Sequence, residues 1–175
     1  FFVPLVCRYL LDRYLAVLLI LLVTLFYTAS EFTRMKGTDF PPFSMITLKT
    51  AITSESYEFA TAPIFFALGI MLSLILFPVP VNYASIAIFT LGDGFAALFG
   101  KKFGRTVFPL NKGKRIEGSV FGFLFAFLGA LFFLGNPQKA LVGAAVGMFV
   151  ESLPSPISDN ITIPLASGLA LMVLM

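Results

Sequence analysis

Four carboxylates flank a run of cations in the second half of the chain. Asp93 is the one charge of a long apolar stretch and sits in Gly92-Asp93-Gly94-Phe95-Ala96. Glu117 precedes Gly118 and Ser119, while Glu151 and Asp159 stand on either side of a turn containing Pro154 and Pro156. Between Asp93 and Glu117, Lys101, Lys102, Arg105, Lys112, Lys114 and Arg115 follow one another with no acid among them, interspersed with Gly100, Gly104 and Gly113. The chain has no histidine and a single cysteine, Cys7. That excludes a disulfide framework, the usual zinc sites and Ser/His or Cys/His dyads, so acid–base or metal chemistry must use carboxylates.

Carboxylates beside a glycine-rich cationic loop suit nucleoside-triphosphate chemistry. The acids can hold Mg²⁺ against phosphate oxygens, and Lys and Arg balance the remaining negative charge. Each part has a plainer reading as well. A protonated Asp93 could hydrogen-bond another helix, the cations could be an anchor at anionic headgroups, Glu117 and Ser119 could cap a helix, and Asp159 could be an N-cap. The combination is more specific than any of its parts. The net charge of +3 is too small to indicate nucleic-acid binding.

The elements that hold these residues must be membrane helices. The chain of 175 residues is 58% hydrophobic and 12% charged, with a mean hydropathy of +0.96, far from the composition of a soluble domain. We read an all-α, polytopic transmembrane bundle forming one domain over residues 1–175. Six spans are expected, at about 4 or 14 to 29, 59–77, 81–100, 118–134, 138–153 and 160–175. Asp93 then lies roughly 10 Å below the basic loop at 1.5 Å per helical residue. A carboxylate at that depth costs at least about 2.5–3.5 kcal/mol, which favours a functional role lining a cavity.

The positive-inside rule makes residues 101–117 a cytoplasmic loop. Alternation brings Arg34, Lys36 and Lys49 to the same side and leaves only Arg8, Arg13 and Lys139 opposite. Glu31, Glu117, Glu151 and Asp159 fall on the basic side too. The stretch from Glu31 to Glu58, with Pro41 and Pro42, reads as a loop containing a short interfacial helix. The chain starts at Phe1 with no initiator Met and no cleavable signal, so residues preceding Phe1 are expected.

These motifs resemble the dolichol kinase, phytol kinase and yeast-type diacylglycerol kinase group, relatives of the phosphatidate cytidylyltransferases. The resemblance rests on Gly92 to Ala96 with Gly100 and Gly104, on Asn111-Lys112-Gly113-Lys114 leading to Glu117-Gly118-Ser119, and on Glu151 with Asp159-Asn160 and Pro164. It covers about residues 91–168, with weaker agreement at Glu31 and Arg34. Asp159-Asn160-Ile161-Thr162-Ile163-Pro164 resembles the kinase branch, and the cytidylyltransferases' closing signature is absent. Arg115 departs from the pattern, which commonly has Ser or Thr there. The group's early basic, histidine-bearing helix is missing as well.

The resemblance implies transfer of the γ-phosphoryl group of CTP to a lipid alcohol such as a polyprenol, phytol or diacylglycerol, with Mg²⁺ as cofactor. The implied catalytic residues are Asp93, Glu117 and Asp159, and the implied metal ligands are Asp93, Glu151 and Asp159. Lys101, Lys102, Arg105, Lys112, Lys114, Gly100, Gly104, Gly118 and Ser119 would bind nucleotide, with Glu31, Arg34 and Asn160 in supporting roles. The implied setting is a multi-pass membrane protein with its active site facing the cytoplasm. Its partners are CTP, the alcohol and the bilayer; a homo-oligomer stays open. A CDP-lipid synthase or, more remotely, a transporter using Asp93 are the rival readings.

Overall fold

The computed structural model describes residues 1–36 and 59–174. Seven helices run through them: α1 (Phe2–Tyr9), α2 (Arg13–Met35), α3 (Ala62–Leu76), α4 (Val81–Phe103), α5 (Ile116–Leu134), α6 (Pro137–Ser152) and α7 (Asp159–Val173). The fold is an all-α membrane bundle. Three of the helices, α2, α4 and α5, are long and apolar enough to cross a bilayer, and α3 and α7 are shorter apolar helices.

Local chemistry sets the boundaries. Asp12 caps α2 by accepting the Tyr14 N–H at 2.8 Å, which separates the short α1 from the first span. The first expected span therefore takes the second of its two starts, near residue 14, and a separate short helix precedes it. Gly135, at φ 64°, ends α5 in the left-handed conformation; Asn136 then caps α6 through the N–H groups of Gln138 and Lys139, and Pro137 opens that helix. Two expected boundaries move outward. α2 runs on past Ala29 and carries Glu31 and Arg34 on its last turns. α4 runs on past Gly100, so Lys101 and Lys102 stand on its last turn, where a helix C-terminus favours cations. Lys49, Pro41, Pro42, Glu55 and Glu58, together with the interfacial helix expected near them, lie outside the described residues.

α4 is the central element and packs against α1, α3, α5, α6 and α7. Its first nine residues, Val81 to Phe89, are all buried. Further along, its side chains sort into rows four residues apart. Gly92, Ala96 and Gly100 face α5, where Gly118 and Gly122 oppose them closely. A Cβ on Gly118 would come 2.5 Å from the Ala96 carbonyl oxygen and 2.9 Å from the Gly100 Cα. Phe95 and Phe99 stack on Phe125 and Phe121, with ring centroids 3.7 and 4.3 Å apart. The third row, Asp93, Ala97 and Lys101, borders a cavity.

α7 keeps Pro164 within its length. Proline has no N–H to give the Asn160 carbonyl one turn earlier. Gly69 of α3 packs against that carbonyl so closely that a Cβ would lie 1.9 Å from its oxygen. The start of α7 is thereby pinned to α3, and with it Asp159.

Candidate active site

The basic segment is more structured than a loop. After α4 ends at Phe103, residues 104–115 turn back as a small hairpin, with an antiparallel bridge between Val107 and Arg115. The Ile116 N–H donates to the Thr106 carbonyl at 3.1 Å, and Phe108 N–H to that of Lys114 at 3.0 Å. Asn111 shapes the tip by accepting the Gly113 N–H, and its amide donates to the Leu153 carbonyl at 3.4 Å, the residue that follows α6. Gly104 is required at the root, because a Cβ there would lie 2.2 Å from the Gly100 carbonyl oxygen.

This fold-back drives Lys114 onto the acids of α6 and α7. Its Nζ donates to Glu151 Oε1 at 2.7 Å and to Asp159 Oδ2 at 2.8 Å. Ser119 Oγ donates to the other Glu151 oxygen at 3.4 Å. Glu151 is 2% exposed. Burial works against the Lys114 charge, but the hydrogen bonds to Asp159 and Glu151 and their charges more than offset it and hold the ammonium above its ordinary pKa. Lys114 is a cation at any neutral pH.

Beside this cluster lies a cavity of about 600 Å³, bordered by Asp93, Ala96, Ala97, Gly100, Lys101, Gly104, Gly113, Lys114, Arg115, Ser119 and Glu151. Two acids and three cations face one space. Asp93 lies within electrostatic reach of Lys114, Glu151 and Asp159, yet among the described residues it makes neither a hydrogen bond nor an ion pair. It is the free carboxylate of the site.

The other expected residues are distributed around this core. Lys101, Lys114, Gly100, Gly104 and Ser119 border the cavity, whereas Lys102, Arg105 and Lys112 are exposed and do not. Gly118 acts by close approach of α5 to α4. Glu117 points to the hairpin, where its carboxylate accepts the Thr106 N–H at 3.0 and 3.2 Å. Asp159 is not an N-cap: Ser158 holds that position, and Asp159 reaches Lys114. On its far side Asp159 borders a second cavity of about 490 Å³ with Thr61, Phe65, Ser155 and Ser158.

Glu31 and Arg34 pair with each other at the same end of the bundle, and Glu31 also accepts the Ala60 N–H at 3.0 Å. Two residues on, the Ala62 carbonyl accepts from the Asn160 amide at 3.4 Å. The supporting residues thus form a line from α2 through the start of α3 to the start of α7. Arg115, which departs from the expected pattern, borders the cavity.

Among the described residues no three acids come together closely enough to hold a metal ion alone. The donor set still suits Mg²⁺, which usually takes one or two carboxylates and completes its shell with phosphate oxygens and water.

Curated proteins supply the decisive comparison. The chain is 30% identical over 154 residues to phytol kinase 1, chloroplastic, of Arabidopsis thaliana, covering 78% of this chain and 51% of that one. The chain is a relative of the phytol and farnesol kinases. It is 33% identical over 133 residues to the probable phytol kinase 1, chloroplastic, of Glycine max, covering 65% and 43%. Farnesol kinase, chloroplastic, of Arabidopsis thaliana is 31% identical over 130 residues, with 65% and 42% covered. The chain spans about half the length of the curated relatives it matches. No protein-family model and no solved structure matches it.

Proposed function

We propose that this chain carries the reaction site of a membrane kinase that transfers the γ-phosphoryl group of CTP to a long-chain lipid alcohol. The observation that carries the proposal is Asp93: a carboxylate within a membrane-spanning helix, without a hydrogen-bond or ion-pair partner among the described residues, on the wall of a cavity that Lys101, Lys114 and Arg115 also border. The relatives' names, phytol and farnesol kinase, describe acceptors that are hydroxyls on apolar tails.

Such an acceptor stays in lipid while the nucleotide stays in water, so the two must meet near the interface. Lys101, Lys114 and Arg115 hold the phosphates. Asp93 accepts a hydrogen bond from the alcohol and aims its oxygen at the γ-phosphorus. The new O–P bond forms as the β–γ bridging P–O bond breaks; CDP leaves, and the hydroxyl proton passes to Asp93. Mg²⁺ would be held by Asp93 with at most one of Glu151 and Asp159, its shell completed by phosphate oxygens and water, and would neutralise those phosphate oxygens. Glu117 acts through the hairpin. The basic end faces the cytoplasm by the positive-inside rule.

The test uses the full-length protein in membranes, CTP labelled at the α or the γ phosphate, and a panel of phytol, farnesol, dolichol and diacylglycerol. γ label in the lipid and α label in soluble CDP are expected, with loss on chelation and recovery with Mg²⁺. α label in the lipid would assign nucleotidyl transfer instead, and no label in any lipid refutes both. ATP in place of CTP tests the donor.

A further inference from the structure

We infer that the lipid alcohol reaches Asp93 sideways from the bilayer, through a gap on α4 that Gly94 and Ala97 keep open. The inference rests on the kinase reading and adds to it the route of the acceptor. α4 is wholly buried from Val81 to Phe89, and in its last third it emerges from the bundle. The first exposed residue is Gly94, next to Asp93, followed by Ala97 and Leu98, the latter 57% exposed. Ala97 also borders the cavity, so the cavity reaches the outer surface of the helix at that residue.

Gly94 differs from the glycines that face α5. A Cβ there would meet no atom of the described residues within 4 Å, so close packing against the described helices does not account for it. The absent side chain leaves a gap one residue from the free carboxylate. Gly94 lies about 10 Å along α4 from Lys101 at 1.5 Å per residue, on the apolar part of a candidate membrane-spanning helix and away from the cations. An alcohol whose tail remains in the bilayer can pass its hydroxyl over Gly94 and Ala97 to Asp93 without leaving lipid, while the nucleotide occupies the basic end of the same cavity. Lipid and nucleotide thus approach from different sides, and a bulky residue at the gap should obstruct only one of them.

Steady-state kinetics of full-length Gly94→Leu test this with phytol or farnesol as acceptor. The open space around Gly94 and the better helix propensity of leucine keep the variant folded, which its thermal unfolding in detergent will verify. The expected result is a KM for the alcohol raised roughly tenfold or more, the scale of a steric mismatch in a substrate channel, with the KM for CTP unchanged. Gly94→Ala should give a smaller shift in the same direction. An unchanged alcohol KM in an active Gly94→Leu enzyme overturns the inference and leaves the kinase reading intact, as does an equal rise in both KM values. Wild-type protein that phosphorylates no alcohol removes the kinase reading and this inference with it.

Discussion

Lys114 and Glu151, 37 positions apart, meet at 2.7 Å where the basic hairpin closes over the end of α6. Because Glu151 is almost wholly buried, the contact fixes the hairpin and gives that carboxyl group a cationic partner inside the bundle. Removing Lys114 leaves the buried Glu151 without its cation, a loss that reaches about 3–5 kcal/mol for buried pairs, whereas removing Glu151 still leaves Lys114 its contact with Asp159. Lys114→Met should therefore lower the thermal unfolding temperature in detergent. Lys114→Met with Glu151→Gln should recover part of that loss, with a coupling of at least ~1 kcal/mol in a double-mutant cycle. Lys112→Met, at the exposed hairpin tip, should change stability by less than about 0.5 kcal/mol. Additive effects for the Lys114 and Glu151 pair would contradict the contact.

Asp93 has the opposite profile. With no hydrogen-bond or ion-pair partner among the described residues to lose, Asp93→Asn should leave the unfolding temperature unchanged or slightly raised. If Asp93 orients the acceptor and takes its proton, phosphoryl transfer should fall by about 10²–10⁴-fold, the range for loss of a general base. Radiolabel transfer and thermal unfolding measured on one preparation separate the two effects. Full transfer by the Asn variant would remove Asp93 from the chemistry, and a changed ion or solute flux would revive the transport reading.

Much of this site was legible before any coordinates. The bundle, the alternation that gathers Glu31, Glu117, Glu151 and Asp159 at the basic end, and the placing of Asp93 below Lys101 all follow from hydropathy and the positive-inside rule. What the sequence could not reveal depends on distant contacts. The pairing of Val107 with Arg115 is a backbone bridge with no apolar alternation to announce it. The turning of Lys114 onto Asp159 requires residues 45 positions apart to meet. The continuation of α4 to Phe103 was hidden because charged residues at a helix end resemble a loop on a hydropathy scale, although Lys101 and Lys102 suit a helix C-terminus. Arg115 looked like a departure from pattern, and only the fold-back places it at the cavity.

Gly118 and Gly94 should respond in opposite ways to added bulk. A Cβ on Gly118 would press on the Ala96 carbonyl and the Gly100 Cα, and backbone cannot yield as a flexible side chain can. Gly118→Ala should cost about 1–3 kcal/mol, as overpacking does, and push apart the two helices that carry Asp93 and Ser119. Gly94→Ala should be neutral or stabilising, since alanine favours helix by up to ~1 kcal/mol over glycine. Unfolding midpoints of the two variants check this, and equal midpoints would rule out the close approach of α4 and α5 at Gly118.

Glu117 tests whether an acid in a family motif acts on the substrate or on the fold. Its carboxylate meets the Thr106 N–H and does not border the cavity, so its influence should pass through the hairpin that carries Lys114 and Arg115. A glutamine keeps one acceptor oxygen for that N–H, whereas alanine keeps none. Glu117→Gln should therefore retain most of wild-type kcat, and Glu117→Ala should raise the KM for CTP by roughly threefold to tenfold, the scale of one lost hydrogen bond. A metal ligand or general base would behave differently. In that case the Gln variant would lose kcat as heavily as the Ala variant, and its loss would change with Mg²⁺ concentration. The KM-against-kcat split of these two variants thus decides whether Glu117 belongs to the reacting centre or to the hairpin's anchorage.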